Sequence, residues 1–435
     1  MSTSSRVRGR AIDAFDEPRY GFPAKFWRGL ESHRPPGLDP SRLWRSPLRG
    51  PRFTAVLSLG LLIGLPLLIG TGLLSYVAYG PQFGQALPGH VGWLHLPWFG
   101  WPTRPSWLYQ LTQGLHVDLG FVLIPLLLAK LWSVLPKLFV WPPARSLTDV
   151  ASRLSLGLLV GSVLFEFVTG VLNVQYDYVF GFDFYTAHYF GAWVFIGALV
   201  AHVAARLPRM VAALRSRPVA NDELTASSPI TPTISRRGAL ALVGGGMVAI
   251  AALTVGQTVG GPARKLALLL PRGRSLGSGP NAFQVNKTAV AAGITTVQIG
   301  PQWRLKLVGG TGSMTLDRPA LLALPQHQAT LPIACVEGWS TTQTWSGVRL
   351  IDLARLVGMT HPSSAHVTSV QRFGAFTSAT LQGNQVRDDN ALLALRVNGA
   401  DLSPDHGFPA RIIVPALPGV HNTKWVGSIE FRGHV

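Results

Sequence analysis

Cys335 is the only cysteine among the 435 residues, and it is the first candidate for metal chemistry. It follows the apolar run 331–334, so its thiol lies at the end of a predicted strand. A thiolate is a soft ligand for a transition metal, whereas a buried structural cysteine is inert, and residue type alone favours the inert interpretation. With one cysteine, the chain has no intrachain disulfide and no zinc or iron–sulfur site built on several thiolates.

Three histidines lie in apolar stretches and are candidates to bind heme iron. His116 and His188 occupy similar depths in two predicted spans that run in the same direction, and His202 shares a helix face with His188, roughly 21 Å away. A b-type heme takes two axial imidazoles from facing helices, so His116 and His188 predict one heme. A second heme at His202 lacks a histidine partner on the first span. The alternative is that these polar residues only pack helix against helix.

Other residues of these stretches fit a heme site. Gly114, Gly120, Gly191 and Gly197 lack side chains and would leave room for a porphyrin beside the backbone. Glu166 is an isolated carboxyl group in an apolar run. Since intramembrane ionisable residues are costly and usually functional, Glu166 is either a proton relay beside a quinone or a neutral acid hydrogen-bonded to another helix.

Apolar helices of membrane-spanning length must position these histidines. The composition is that of a membrane protein, because 47% of the residues are hydrophobic and only 13% are charged. Five stretches are long enough to cross a hydrocarbon core of about 30 Å. They cover residues 53–78, 109–132, 154–173, 184–206 and 238–259.

Charges beside the spans predict one orientation in the cell membrane. Segments 130–153 and 206–237 are rich in Lys and Arg, and such loops stay in the cytoplasm. The N-terminus is therefore predicted to be cytoplasmic and the C-terminal region extracytoplasmic, with lipid as the surrounding partner. Much of the net charge of +18 lies in such flanking segments, whereas binding to nucleic acid would need a basic stripe on a soluble surface, so no nucleic-acid partner is expected.

The fifth span begins with a pair of arginines. Ser235, Arg236 and Arg237 precede a stretch rich in Gly and Ala, which looks like a twin-arginine export signal. That route carries domains that fold around a cofactor before crossing. The positive-inside bias alone also places arginine pairs before spans. No small-residue cleavage site is compelling, so an uncleaved anchor is predicted.

Beyond residue 260 the pattern changes to a domain of mixed α and β structure. Short β-branched runs predict strands at 295–299, 304–308 and 411–414, and a helix is predicted at 350–357. Sixteen Lys and Arg against eight Asp and Glu from residue 261 onward favour an anionic ligand. Charge-assisted donors to such a ligand are His406, Arg411 and Lys424, with scattered surface charge as the alternative.

Two blocks of this domain resemble the molybdopterin-binding domain of the sulfite oxidase superfamily. The first is LPIACVEGWS at 331–340, followed by WSGV at 345–348; the second comprises DHGFPAR at 405–411 and TKWVG at 423–427. The resemblance spans about residues 281–432. It implies a molybdenum–molybdopterin cofactor in which the metal is bound by Cys335. The remaining cofactor contacts that it implies are His406, Arg411, Asn422 and Lys424.

The context of Cys335 looks like the bacterial branch of that superfamily that reduces protein methionine sulfoxide. In that branch a glutamate two residues after the cysteine and an upstream asparagine line the metal site, which correspond here to Glu337 and Asn281. The catalytic tyrosine of sulfite oxidases aligns with Phe376 and their later arginine with His421. Both departures argue against sulfite as the substrate.

Residues 50–210 resemble a second family, the heme-binding membrane subunits of the cytochrome b561 and formate dehydrogenase gamma type. The sequence thus predicts a multi-domain protein, an all-α transmembrane bundle followed by an α+β sulfite-oxidase-like domain. The predicted parts are a basic cytoplasmic tail (1–52), a four-helix cytochrome b-like membrane domain (53–210), a cytoplasmic linker (211–237), a fifth span (238–260) and an extracytoplasmic molybdopterin domain (261–435).

The function that these resemblances imply is electron transfer from the quinone pool through heme b to molybdenum. The expected substrate is a small or protein-bound S- or N-oxide such as methionine sulfoxide. Two alternatives remain open: a sulfite-oxidase-like enzyme that donates electrons to quinone, and a membrane-anchored binding protein without turnover.

Overall fold

The structure is a computed structural model that describes most of both predicted domains. It covers residues 29, 46, 48–83, 89–91, 93–95, 98–139, 147–174, 182, 184–215, 232–269, 276–310, 312–374 and 376–433. Most of the predicted tail 1–52 and of the predicted linker 211–237 lies outside the described residues.

The N-terminal half is helical, as the apolar stretches predict. Its helices are α1 (Pro51–Ala78), α2 (Leu108–Val122), α3 (Ile124–Leu138), α4 (Leu147–Val174), α5 (Phe184–Arg215), α6 (Arg236–Thr254) and the short α7 (Gly256–Val259). Within the described residues, four helices are long and apolar enough to cross a membrane, and a fifth span is present if α2 and α3 count as one. We call helices α1 to α6 the bundle.

The second predicted span, 109–132, is broken. Helices α2 and α3 meet at Leu123 with a bend of 40°. Pro125 is the second residue of α3, and proline has no N–H for the hydrogen bond that would continue the preceding helix. The bend therefore follows from the sequence.

Large apolar side chains hold one end of the bundle together. Phe53, Leu57 and Leu61 of α1 are buried in one cluster with Leu126 of α3 and Phe195 of α5. At the start of α6, the Ser235 hydroxyl accepts a hydrogen bond from the Gly238 N–H (3.0 Å) and caps the helix. The Arg236 guanidinium donates to the carbonyl oxygen of Leu48 (3.3 Å), so α6 is tied to the segment before α1.

The C-terminal half contains two larger sheets, and a short hairpin lies between α1 and α2. The strands are β1 (His90–Val91), β2 (Leu94–His95), β3 (Leu305–Gly309), β4 (Gly312–Leu316), β5 (His327–Ala334), β6 (Ser340–Arg349), β7 (Ser364–Ser369), β8 (Ser378–Gln382), β9 (Leu392–Val397), β10 (Ala400–Asp401), β11 (Arg411–Ile413) and β12 (Val426–Arg432). One sheet has the order β10-β9-β6-β5 with β11 also paired to β9, and the other has the order β4-β3-β12-β7-β8. Only the β3–β12 pairing in these sheets is parallel among the described strands.

Short helices α8 (Thr296–Ile299), α9 (Arg318–Ala323), α10 (Leu350–Leu356) and α11 (Gly383–Val386) connect these strands. The predicted strands at 304–308 and 411–414 and the predicted helix at 350–357 are confirmed within a residue or two. The predicted strand at 295–299 is wrong, because those residues form α8. The Thr295 side chain accepts from the Gln298 N–H while the Gln298 side chain accepts from the Thr295 N–H, and this capping box starts a helix despite the β-branched residues.

One hydrophobic core runs from the bundle into the C-terminal sheets. Tyr76 and Tyr79 at the end of α1 and Tyr109 of α2 belong to the same buried cluster as Ala334 and Leu417. The two halves of the chain therefore share apolar packing, and the β5–β6 hairpin lies against the bundle.

Candidate functional site

Cys335 lies in the turn of the β5–β6 hairpin. The last strand pair is Ala334 with Ser340, so residues 335–339 form the turn. The Cys335 N–H donates to the Trp339 carbonyl oxygen (2.9 Å), and the Gly338 N–H donates to the Cys335 carbonyl oxygen (3.0 Å). Gly338 has a φ of +89°, which favours glycine over other residues. The turn holds the cysteine buried at the end of an apolar strand.

A small cavity with charged and amide side chains in its lining, called the polar cavity below, opens beside Cys335. Its polar lining residues are Gln284, Asn286, Thr341, Arg411 and Lys424. The resemblance pointed to Arg411 and Lys424, whereas Gln284, Asn286 and Thr341 were missed, because no charge or motif marks them.

Arg411 and Lys424 are cations buried at this cavity without a carboxylate ion pair among the described residues. Arg411 donates to the carbonyl oxygens of His406 (3.1 Å) and Asn422 (3.2 Å), and Lys424 donates to those of Lys287 and Asp405 (both 2.8 Å). Burial lowers the pKa of Arg411 to about 9 and holds the pKa of Lys424 well below its usual value. An anionic ligand would favour the charged form of both.

His406 and Asn422 support Arg411 and do not line the cavity. Their carbonyl oxygens accept from its guanidinium. The His406 imidazole stacks on Phe283 at 3.6 Å between ring centres, and its Nε2 lies 3.0 Å from the Asn281 carbonyl oxygen. Burial, with Arg411 and Lys424 nearby, lowers the pKa of His406 to about 3, so the ring is neutral at neutral pH.

The structure places Asn281 and Glu337 outside the lining of the Cys335 cavity. The Asn281 amide is bonded to backbone, since its oxygen accepts from the Ser403 N–H (2.9 Å) and its nitrogen donates to the Asp401 carbonyl oxygen (3.0 Å). The Glu337 carboxylate accepts from the Trp339 indole N–H (2.7 Å). The upstream asparagine that does line this cavity is Asn286.

A second cavity, of about 150 Å³, lies between α1, α2, α4 and α5. His116 and His188 both line it, with ring centres 6.2 Å apart and ring planes at 79°. Glu166 lines the same cavity, whereas His202 does not. The described residues contain no group of three or more His, Cys, Asp or Glu that could hold a metal ion.

Both imidazoles of this cavity are held through Nδ1. His116 Nδ1 lies 2.9 Å from the Leu68 carbonyl oxygen, and His188 Nδ1 lies 2.9 Å from Thr169 Oγ1 and 3.1 Å from Glu166 Oε2. Because a carbonyl oxygen can only accept, His116 carries its proton on Nδ1. The Thr169 hydroxyl donates its own hydrogen to a backbone carbonyl oxygen (2.7 Å), so it accepts from His188 and favours the same tautomer there. Nε2 of each ring is then left as a lone-pair donor for a ligand.

Glycines make room for these rings, although not mainly the glycines that the sequence indicated. A Cβ at Gly72 would lie 2.8 Å from His116 Cε1, and one at Gly170 would lie 3.3 Å from His188 Cε1. Gly120 lines the cavity as well. The other three predicted glycines differ: a side chain at Gly114 would meet Thr258, one at Gly191 would meet Glu166, and Gly197 has no such neighbour among the described residues.

Comparison with known proteins identifies a domain in the C-terminal third of the chain. Residues 292–435 match the family model described as the oxidoreductase molybdopterin binding domain. Residues 292–435 form a molybdopterin-binding domain. The likeness is to sulfite oxidases: the rat mitochondrial enzyme (Rattus norvegicus) is 31% identical over 156 residues, which are 29% of this chain and 29% of that protein.

A Bacillus subtilis protein named as the uncharacterized oxidoreductase YuiH is 31% identical over 137 residues, which are 30% of this chain. The chain spans 65% of the length of that relative. The crystal structure of the sulfane dehydrogenase SoxCD from Paracoccus pantotrophus matches 30% of this chain and 38% of the SoxCD chain. The sequence identity is 22% and the TM-score is 0.28. The relatives therefore support an oxidoreductase of the sulfite oxidase type.

The Cys335 cavity fits an anionic, hydrogen-bonding cofactor. Arg411 Nε and both polar atoms of the Gln284 amide are buried without a hydrogen-bond partner among the described residues. Leaving such atoms unpaired costs about 1–3 kcal/mol each, so they favour a polar ligand. Two buried cations in the same lining suit the phosphate of a molybdopterin.

The molybdopterin-binding domain contacts the bundle directly through the Cys335 turn. Gln113 of α2 donates through Nε2 to the Val336 carbonyl oxygen (2.7 Å). One turn earlier, Gln110 donates to the Ser340 hydroxyl (2.9 Å). Val336 lines the histidine cavity while Cys335 lines the polar cavity. Consecutive residues of one turn thus reach both cavities.

Tyr79, at the end of α1, lies among side chains of the molybdopterin-binding domain. Its ring centre is 5.3 Å from that of His421 and 6.3 Å from that of Phe376. His421 Nε2 is buried without a hydrogen-bond partner among the described residues, and burial lowers the pKa of His421 to about 4. The surroundings of His421 are therefore uncharged at neutral pH and include a residue of the bundle.

The segment between α1 and α2 holds the molybdopterin-binding domain from another side. The fully buried Trp101 donates through its indole N–H to the Ala416 carbonyl oxygen (2.7 Å). Asn384 donates to the Trp101 carbonyl oxygen (2.9 Å), and Arg104 lies 3.7 Å from Asp388. This segment and the domain must lie on the same side of any membrane that the bundle crosses.

Proposed function

We propose that the chain is a membrane-bound, molybdopterin-dependent oxidoreductase that takes electrons from membrane quinol. In this proposal a b-type heme between His116 and His188 passes the electrons to molybdenum at Cys335, where an S- or N-oxide such as methionine sulfoxide is reduced. The observation that carries it is the facing pair of imidazoles in a cavity that touches the Cys335 turn.

The distance between the imidazoles supports a single iron between them. A metal–imidazole bond is about 2 Å long, so two facing nitrogens that share one metal lie about 4 Å apart. The ring centres lie behind those nitrogens, which agrees with the separation of 6.2 Å. Two protein ligands suffice when a porphyrin supplies the others.

The contacts behind the imidazoles also support metal binding. Ligating histidines in general donate their other N–H to a carbonyl or carboxylate, which fixes the ring and raises its basicity. The Leu68 carbonyl oxygen does this for His116 and the Glu166 carboxylate for His188. Glu166 would then be the partner of a heme ligand, a role different from a proton relay and from a carboxyl group that only links helices.

In the molybdopterin-binding domain, the residues at the Cys335 cavity would hold the cofactor. Cys335 would supply a thiolate ligand, and Arg411 and Lys424 would bind the anionic phosphate. The molybdenum cofactor, when bound, supplies oxygen-atom transfer coupled to two electrons. The backbone carbonyls around Arg411 and Lys424 keep both cations pointing into the cavity.

An uncharged oxide suits the surroundings of Phe376 and His421. Burying an anion beside a phenyl ring and a neutral imidazole would be costly, whereas a neutral S=O or N–O group needs only hydrogen-bond donors. Oxidation of a quinol releases two electrons and two protons. Reduction of an S-oxide to a sulfide and water consumes the same number, so the two half-reactions balance.

A second candidate is oxidation of sulfite with delivery of electrons to quinone. Similarity to sulfite oxidases favours it. With both cations of the Cys335 cavity assigned to the cofactor phosphate, sulfite would find no positive charge at His421 or Phe376. The two candidates share both cofactors and differ in the direction of electron flow.

The decisive experiment is an absorption spectrum with metal analysis on the protein purified in detergent. We expect a Soret band from one heme and one molybdenum per chain. Menadiol should then support reduction of methionine sulfoxide, whereas sulfite should not reduce the heme. A protein with neither heme nor molybdenum would overturn the proposal, and heme reduction by sulfite would favour the second candidate.

A further inference from the structure

Consecutive residues of the Cys335 turn line the two cavities. Cys335 lines the polar cavity and Val336 lines the histidine cavity. The Cys335 thiol is buried, and Val336 is half-buried against the bundle. Electrons that pass from the imidazoles to the thiol through this turn would therefore stay within protein and would not cross solvent.

Gln113 lines the histidine cavity and is hydrogen-bonded to the Cys335 turn. Its Nε2 donates to the Val336 carbonyl oxygen (2.7 Å), while its side chain lines the histidine cavity. Its Oε1 is buried without a hydrogen-bond partner among the described residues. Gln113 lies one helical turn before His116, so the same face of α2 carries the imidazole and the amide.

Gln110 is a matched neighbour of Gln113 in the same interface. It lies one turn earlier on α2 and donates to the Ser340 hydroxyl (2.9 Å) and the Thr258 carbonyl oxygen (3.1 Å). Its side chain does not belong to the lining of the histidine cavity. Gln110 therefore only holds the two domains together, whereas Gln113 also connects the histidine cavity to the Cys335 turn.

The packing around the turn leaves no space for the domains to separate locally. A Cβ at Gly338 would lie 2.8 Å from the Val117 side chain. The Thr258 hydroxyl donates to the Gly338 carbonyl oxygen (2.8 Å), and Arg264 donates to that of Ser340 (2.8 Å). Contacts before and after the Gln113 bond fix it in position.

We propose that the hydrogen bond from Gln113 to Val336 is the electron-transfer contact between the histidine cavity and the Cys335 site. This inference rests on the proposed function, because it requires a heme at His116 and molybdenum at Cys335. One electron at a time would pass from a heme held by His116, across the Gln113 amide and through Val336 to Cys335, which would hold the molybdenum. Gln113 acts as a positioning residue, and no domain motion is needed.

The test compares Gln113→Leu with Gln110→Leu in the full-length protein carrying heme and molybdenum. Each is mixed with menadiol; heme reduction is followed by absorbance, and half-reduced molybdenum by its paramagnetic resonance after rapid freezing. We expect Gln113→Leu to delay the molybdenum signal several-fold relative to heme reduction, with heme absorbance and midpoint potential unchanged. Gln110→Leu should show the wild-type delay.

A second, conservative variant distinguishes loss of the hydrogen bond from misfolding. Gln113→Asn keeps the amide but is one methylene too short to reach Val336, and it should show the same delay. Equal delays in wild type and Gln113→Leu, or the same slowing in Gln110→Leu, would overturn the inference while leaving the proposed function intact. Wild-type protein without heme, or with heme that menadiol reduces while molybdenum stays oxidised, would overturn both.

Discussion

The two cavities leave opposite kinds of atoms available to a ligand. In the molybdopterin-binding domain, Arg411 and Lys424 donate to backbone carbonyl oxygens, so their charges are not neutralised by a carboxylate among the described residues. In the bundle, the Nδ1 atoms of His116 and His188 face acceptors, which leaves a neutral lone pair on each Nε2. The polar cavity is therefore suited to an anion and the histidine cavity to a metal.

This difference shows how the hydrogen-bond partners of a side chain indicate the kind of ligand that the side chain can bind. A cation fixed by carbonyl groups keeps its charge for a second anion, whereas an imidazole fixed by an acceptor keeps its lone pair for a cation. The following predictions change one cavity at a time and ask whether the other responds.

The largest effect is expected at the polar cavity. Cys335→Ser should abolish turnover, even with a dye that reduces the molybdopterin-binding domain directly, because a neutral hydroxyl is a poor substitute for a thiolate on molybdenum. Heme absorbance should remain, since Cys335 does not line the histidine cavity. Dye-driven turnover, molybdenum content and the visible spectrum measure this, and full activity would disprove the assignment of Cys335.

Removing an imidazole should affect only the histidine cavity. His116→Ala and His188→Ala should each lose heme absorbance, because the iron loses an axial bond. Dye-driven turnover of the molybdopterin-binding domain should continue while quinol-driven turnover stops. The control is His202→Ala, which should retain heme and lose about 1 kcal/mol at most, as for an interhelical hydrogen bond. Unchanged heme content in both of the first variants would disprove the heme site.

A smaller effect concerns the stability of the molybdopterin-binding domain towards acid. Burial lowers the pKa of His406 to about 3 and that of His421 to about 4. Between these values and about 6.5, both histidines are protonated in the unfolded chain and neutral in the folded domain. The free energy of unfolding should therefore fall as the pH drops from about 6.5 towards 4, by a few kcal/mol at most.

Thermal unfolding followed by tryptophan fluorescence at several pH values measures this slope. His421→Gln should flatten it, because the amide does not titrate. The exposed His361→Gln provides the control and should leave the slope unchanged. A variant at position 421 that is as acid-sensitive as the wild type would show that other groups govern the loss.

The smallest effect is expected for Glu166→Gln. The amide can still accept from His188 Nδ1, as Thr169 Oγ1 also does, so heme should stay bound, while any negative charge that Glu166 carries beside the ligand is removed. A less basic imidazole stabilises ferric iron less, and the midpoint potential should become more positive. A spectroscopic redox titration measures this shift, and an unchanged potential would mean that Glu166 does not tune the iron.

Local patterns predicted most elements of the fold but failed where a side chain outweighed propensity. The apolar stretches predicted the long helices, and Pro125 could have predicted the break between α2 and α3. The segment 295–299 looked like a strand because of its β-branched residues. Its capping box, Thr295 with Gln298, was also visible in the sequence and is the stronger signal.

The sequence located Cys335 in a motif, but it could not identify the polar residues that surround the thiol. Asn281 and Asn286 are both upstream asparagines, and only the three-dimensional path of the loop places Asn286 at the cavity. Contacts between distant segments, such as Tyr79 with His421, have no local signature at all. Gln113 did carry a signal, because a polar side chain in an apolar span is usually functional.

Trp101 is buried by residues that are synthesised much later than itself. Its indole N–H donates to the Ala416 carbonyl oxygen, 315 positions later in the chain. Because a ribosome makes the chain from its N-terminus, the segment that carries Trp101 emerges long before the residues that will bury it. Trp101 therefore lacks this partner until the segment around residue 416 has been made. A chain that ends before Ala416 would lack the acceptor for the Trp101 indole N–H, so exposure of this side chain would distinguish truncated from complete molecules.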